Sequence, residues 1–381
     1  MNDINLIATA AFGIESVVDR ELSWLGYEDK YVENGRVYFK GDYDAICRTN
    51  IWLRCADRIL INAGEFTAVT FDELFENTKA IPWENWIPAD AEFPVEGKSV
   101  KSTLFSVPDC QAIVKKAIVE RLKLKYGIVW FPETGAKYKI EVAILKDNVT
   151  LTIDTTGPGL NKRGYREAAG IAPLKETLAC AMLNISRWKW DRVLIDPMCG
   201  SGTIPIEAAM IALNIAPGAK REFAAQGWNL IPKECWIRAR QEAEDSVRKD
   251  ADIRIQGSDI SEKAVSLARY HADKAGVGDK IHFQKRDIKD ISSKYKYGFV
   301  ITNPPYGQRL EDEKAIKSLY RDMGKSLNKL DTWSHYILTS SMEFEKLFGR
   351  RADKKRKLYN GNIMCNYYQF YGPKPKFGEI E

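Results

Sequence analysis

Residues 299–310 read FVITNPPYGQRL, an apolar run that ends in Asn303, Pro304, Pro305 and Tyr306. The two prolines remove backbone donors and stiffen the turn, so a rigid set of acceptors remains. The Asn303 side-chain oxygen and the Pro304 carbonyl can each take one hydrogen of an exocyclic NH2 group, while Tyr306 can stack on a flipped base. This aims the amine lone pair for in-line attack on a methyl sulfonium. An aniline-like amine loses its proton readily once methylated, so positioning and desolvation carry such a reaction and no histidine base is required.

A second motif, VLIDPMCGSGT at 193–203, is an apolar strand with Asp196 at its end, followed by Pro197, Cys199, Gly200, Gly202 and Thr203. The glycines permit close backbone approach by a ligand and a sharp entry into a helix. A phosphate-binding loop would carry a lysine here, and Asp196 would repel a pyrophosphate. The carboxylate suits a cationic amino group, which S-adenosylmethionine offers together with its sulfonium. Asp259, with Ile260 beside it, ends the next β-type run, where a carboxylate can accept both ribose hydroxyls. Asp287, followed by Ile288, can accept an adenine amino group. The interval from Gly202 to Asp259 exceeds the roughly 20 residues of a dinucleotide fingerprint; a helical excursion over 214–249 accounts for the excess. Methylation at pyrimidine carbon 5 needs a thiol at the substrate site, whereas Cys199 lies in the cofactor turn. It reads as a small packing or cofactor-contact residue.

These loops need strands beneath them. From residue 172 the pattern alternates: helix 174–187, strand 192–195, helices 204–213 and 233–249, strand 252–257, helix 261–275, strands 280–284 and 298–302, helix 313–328, strand 335–339. Strands separated by helices pair in parallel through right-handed crossovers, which gives an open, doubly wound α/β sheet with ligands at the carboxyl ends of the strands. Asn360-Gly361 favours a tight hairpin between 357 and 366 and an antiparallel edge strand.

The first half has a different texture. Strand 5–9, helix 13–25 and strands near 31 and 36–40 make an α+β piece over 1–55. A second α+β stretch over 56–155 holds an amphipathic helix at 109–126 and strands 137–145 and 148–153. Between 98 and 125, seven basic residues stand against two acidic ones. Lys115, Lys116 and Lys123 are the candidate phosphate contacts, with a merely solvated face as the alternative. Glycine and proline punctuation marks 156–171 as a linker into a block at 172–381.

The bulk composition narrows the class. A length of 381 residues allows two or three cores, and 45% hydrophobic with 29% charged residues fits a soluble globular chain. Asp3 stands where a secretion signal would carry Lys or Arg, and the longest uncharged run, 358–373, falls short of the roughly 18 apolar residues of a membrane span. A cytoplasmic protein without membrane contact is expected. Seven cysteines with no C-x-x-C pair, and only three histidines, speak against disulfide frameworks and metal sites. The net charge of +5 permits a polyanionic partner without demanding one.

With these residues in place, 170–381 resembles the class I S-adenosylmethionine-dependent methyltransferases with an N/D-P-P-Y loop, whose Rossmann-like domain is a mostly parallel seven-stranded sheet. TAAFGIESVVDREL at 9–22, LTIDTTGPGLNKRGYRE at 151–167 and APLKETLA at 172–179 are similar to signatures of THUMP-containing RNA-modifying proteins. In those a ferredoxin-like piece and a THUMP domain capture RNA. The nearest likeness is to bacterial large-subunit ribosomal RNA guanine-N2 methyltransferases, related to the N-terminal half of a larger bifunctional enzyme; the second methylation of that fused relative is not expected here. The resemblance implies S-adenosylmethionine as cofactor, 23S rRNA as partner and guanine N2 as target. It maps Asp196, Gly200, Gly202, Asp259 and Asp287 to cofactor contacts and 303–306 to catalysis. Lys162, Arg163, Tyr165 and Arg166 then fall where RNA or the cofactor edge is expected, with a solvated linker as the alternative. Guanine-N2 methylation of tRNA, adenine-N6 methylation of DNA or RNA, and an assembly factor with a decayed catalytic domain are the alternatives; the intact glycines and loop oppose the last.

Overall fold

The structure is a computed structural model that describes residues 3–166, 174–306 and 313–375. Its first half runs β1 (Ile4–Thr9), α1 (Glu15–Trp24), β2 (Lys30–Glu33), β3 (Arg36–Gly41), α2 (Tyr43–Trp52), β4 (Arg58–Thr67), α3 (Phe71–Ala80), β5 (Val95–Val100), α4 (Val107–Tyr126), β6 (Ile140–Leu145) and β7 (Asn148–Asp154). The seven strands form one sheet in the order β2-β3-β1-β4-β7-β6-β5. The two α+β pieces expected from sequence therefore share a sheet, joined by the antiparallel β4–β7 pair, whose register shifts between Asn62 and Gly64. Such a bulge bends the strand that carries it. Alternation along the strands buries Val37, Phe39, Ile59, Ile61, Leu151 and Ile153 on one face. Arg36, Tyr38, Glu65, Lys98 and Thr150 help line an open trough of about 820 Å³.

The second half runs α5 (Glu176–Ser186), β8 (Leu194–Asp196), α6 (Thr203–Ala212), α7 (Lys233–Asp245), β9 (Ile255–Asp259), α8 (Glu262–Ala275), β10 (Ile281–Lys285), β11 (Phe299–Thr302), α9 (Glu313–Leu327), β12 (Ser334–Thr339), α10 (Phe344–Phe348), β13 (Lys354–Asn360) and β14 (Ile363–Phe370). The sheet order is β10-β9-β8-β11-β12-β14-β13. Strands β10 to β12 pair in parallel, and β14 lies antiparallel to both β12 and β13. Gly361, at φ +61°, turns the final hairpin as expected. The strand order reverses between β8 and β11, and such a switch point opens a crevice at the carboxyl ends of the two strands. Val193, Ile195, Val300, Ile337, Met323 and Phe344 belong to the core below it.

The chain groups into two compact units, one of Met1–Ala10, Asp19–Leu160 and Arg221–Glu242, the other of Ala11–Val18, Asn161–Lys220 and Ala243–Glu381. Most of the excursion before β9 thus belongs with the first unit. There Trp228 stacks on Tyr138 at 4.4 Å and donates from Nε1 to the Lys137 carbonyl at 2.9 Å. Residues 167–171 of the expected linker, the boundary at 172 and residues 307–310 of the N-P-P-Y motif lie outside the described residues. Among the described residues no helix is long and apolar enough to cross a membrane.

Candidate active site

Strand β8 delivers Asp196 into the interior, where it is 2% exposed. Its Oδ1 accepts a hydrogen bond from Thr302 Oγ1 at 2.6 Å and another from the Met198 backbone N–H at 3.2 Å. Burial pushes the carboxyl up to about 7; the Thr302 and Met198 bonds pull it down and the nearby Asp259 charge pushes it further up. The glycine turn follows, with Gly200 at φ +52° and Gly202 at φ +85°. A Cβ at Gly202 would stand 2.9 Å from the Ala268 Cβ, so the turn presses on α8 as only glycine can.

Asp259, at the end of β9, spans this turn. Its Oδ2 accepts from the Gly200 N–H at 3.0 Å and its Oδ1 from the Ser261 N–H at 2.9 Å. Asp287 lies two residues beyond β10 and accepts from the Lys289 N–H at 2.9 Å. Pro197, Cys199 and Thr203 are buried in or beside the turn. Burial and the Asp196 and Asp259 charges push the Cys199 thiol far up, which disarms it as a nucleophile and fits the packing role read from sequence.

The two isoleucines part company. Ile260 is 67% exposed beside Asp259, whereas the Ile288 side chain packs in the core with Ile195 and Val300. The rest of the crevice fits a nucleoside that carries a cationic sulfur. A Cβ at Gly200 would meet nothing within 4 Å, which leaves open space at the turn. An apolar side chain and three carboxylates at successive strand ends surround the loops.

Strand β11 lies beside β8, with Phe299 opposite Leu194 and Val300 opposite Ile195, and runs directly into Asn303. The Tyr306 hydroxyl donates to Asn303 Oδ1. The Pro305 carbonyl accepts from Tyr320 at 3.1 Å, and the Tyr320 hydroxyl also meets Thr339 Oγ1 at 2.8 Å. One of the two expected amine acceptors is thus held by the loop's own tyrosine. Burial, followed by the neighbouring Cys365, pushes the Tyr306 phenol up, so it stays a hydrogen-bond donor.

The candidate RNA contacts separate by burial and pairing. Arg163 and Tyr165 are interior residues: Tyr165 donates to Glu207 Oε1 at 2.9 Å, and Arg163 Nε lies 3.6 Å from the same carboxylate. The expectation that they touch RNA is corrected, because Glu207 on α6 is a buried charge that needs a partner. Arg166 pairs with Glu176 at 3.0 Å and donates to Thr203 Oγ1 at 3.3 Å, bracing the start of α6. Lys162 is exposed. On α4, Lys115 pairs with Glu133 and donates to the Phe93 carbonyl, and Lys123 pairs with Glu120, while Lys116 is exposed.

Sequence reasoning passed over Thr302 and the Arg166 brace. The position of Thr302 directly before Asn303 was the available signal for the first.

Residues 163–369 match the family model described as RMKL-like, methyltransferase domain (UPF0020). Residues 5–60 match the RlmL ferredoxin-like domain and 68–154 the THUMP domain. The chain is 52% identical over 373 residues, 97% of each chain, to the "Putative RNA methyltransferase YpsC" of Bacillus subtilis (strain 168). A solved relative titled "predicted N6-adenine-specific DNA methylase" from Listeria monocytogenes is 55% identical, with TM-score 0.94 over 98% of this chain and 97% of that one. Another, "SMU.472, a putative methyltransferase complexed with SAH", is 47% identical, with TM-score 0.94 over 99% of this chain and 100% of that one.

Proposed function

This chain belongs to the RMKL-like (UPF0020) methyltransferase family, and from that premise we propose that it transfers a methyl group from S-adenosylmethionine to the exocyclic N2 amine of a guanine in 23S rRNA. The observation that carries the reading is the adjacency of β8 and β11, which sets the acceptor loop 303–306 beside the glycine turn, tied by the Thr302–Asp196 bond.

S-adenosylmethionine supplies, when bound, a methyl group on positively charged sulfur. Asp196, Gly200, Gly202, Asp259, Ile260 and Asp287 would hold it. Asn303 Oδ1 and the Pro304 carbonyl accept the two amine hydrogens and fix the direction of the nitrogen lone pair. Tyr306 gives up its bond to Asn303 and stacks on the base. Water takes the proton that the methylated amine sheds, so the loop needs acceptors rather than a strong base.

The THUMP domain at 68–154, the ferredoxin-like domain ahead of it and the name of the Bacillus relative support RNA as the substrate. Lys116 and Lys162 are the exposed cations offered to its phosphates. The name of the Listeria relative favours a second reading, methylation of adenine N6 in DNA. The test is transfer of labelled methyl to unmodified 23S rRNA, bulk tRNA and DNA, with nucleoside analysis of the product. Label in N2-methylguanosine from rRNA is expected. Label only in tRNA, or only in N6-methyladenine, overturns the substrate.

A further inference from the structure

One of the three histidines, His271 on α8, is wholly buried beside the glycine turn. Its Nδ1 lies 3.1 Å from the Ser201 carbonyl oxygen. A carbonyl only accepts, so the hydrogen of this bond sits on Nδ1. Among the described residues the other nitrogen, Nε2, is buried without a hydrogen-bond partner.

Ser201 stands between Gly200 at φ +52° and Gly202 at φ +85°. Residues 268 and 271 lie three apart and share one face of α8. That face meets the turn twice: Ala268 fills the space beside Gly202, and His271 grips the intervening carbonyl. On the other side the Tyr165 ring lies 6.5 Å from the imidazole, and its hydroxyl is tied to Glu207 of α6. The Ser201 peptide is therefore oriented by a donor that is itself packed in place.

We propose that His271 is a positioning residue for S-adenosylmethionine: its Nδ1–H fixes the Ser201 peptide plane and so holds the 200–202 turn in the shape that receives the cofactor. This rests on the cofactor reading above but not on which nucleic acid is methylated. It involves no proton transfer.

The test joins 15N NMR of the imidazole in the ligand-free protein to calorimetric binding of S-adenosylhomocysteine by His271→Asn and His271→Leu. Asparagine carries an amide nitrogen where Nδ1 stood; leucine keeps bulk without a donor. The proton is expected on Nδ1. His271→Leu should weaken Kd about tenfold, the scale of one buried hydrogen bond, while His271→Asn stays within about threefold of the parent. The KM for S-adenosylmethionine should follow Kd, with kcat at saturation changed less than about twofold. A proton on Nε2, a leucine variant that binds as the parent does, or an asparagine variant that binds as poorly as leucine each overturns the proposal. Should the leucine variant fail to fold, the tautomer and the asparagine variant still decide. A parent protein that binds no S-adenosylhomocysteine would instead overturn the cofactor reading.

Discussion

Thr302 Oγ1 donates a 2.6 Å hydrogen bond to Asp196 Oδ1, joining the last residue of β11 to the last residue of β8. Both residues are buried. The bond makes the spacing between the two loops a property of the core rather than of the loops.

Thr302→Val keeps the shape and removes the donor, leaving the Asp196 carboxyl short of a partner. Stability should fall by about 1–3 kcal/mol, read by denaturant unfolding. Methyl transfer should fall about tenfold, because small misplacements of reacting groups are costly. A valine variant with parental stability and turnover would show that the bond positions nothing.

The Asp196 carboxyl, pushed up to about 7 in the free protein against 3.8 unperturbed, gives affinity a pH dependence. A cationic ligand beside it favours the ionised form, so binding expels a proton below that value. Affinity for S-adenosylmethionine should therefore tighten as pH rises through about 7 and level off above it. For the ligand-free fold the sign is opposite: the raised value contributes stability that is full below 3.8 and lost as pH rises through about 7. Calorimetry in buffers of different ionisation enthalpy reads the released proton, and Asp196→Asn should abolish it. Affinity that is flat across the window contradicts the account.

Gly202→Ala puts a Cβ 2.9 Å from the Ala268 Cβ at a φ of +85°, and should cost about 1–3 kcal/mol of stability together with cofactor affinity. Gly200→Ala meets nothing within 4 Å, so it should cost only about 1 kcal/mol while still weakening binding. Thermal unfolding with and without S-adenosylhomocysteine separates the two. Equal destabilisation by both substitutions would count against the tight turn on α8.

Glu207→Ala strips Arg163 of its buried counter-charge and should destabilise the second unit by about 3–5 kcal/mol. Arg163 should then prove a stability residue, read by urea unfolding alongside RNA binding. An Arg163→Leu protein with parental stability but much weaker RNA binding would restore the expectation drawn from the linker sequence.

The methyltransferase half was legible because its motifs are local. The glycine turn, Asp259, Asp287 and the N-P-P-Y loop each sit within a few residues of a strand whose hydrophobic run announces it. Pairing across long intervals was not. The acids that engage Lys115 and hold Arg163 lie 18 and 44 residues away, so a run of cations read as a phosphate surface while two of the three helix lysines are paired. The sharing of one sheet by the two α+β pieces depends on the bulged β4, whose partner β7 begins more than 80 residues later. The burial of Ile288 is set by the packing of α9, which no local pattern at 287–288 expresses.

The most direct test of the central claim, that Asn303 and its loop present an amine for methylation, is Asn303→Ala measured for cofactor binding and single-turnover transfer together. Affinity for S-adenosylmethionine should stay within about threefold while transfer falls by roughly two orders of magnitude or more, the scale of losing one positioned hydrogen-bonding group. Undiminished transfer by this variant would contradict the account.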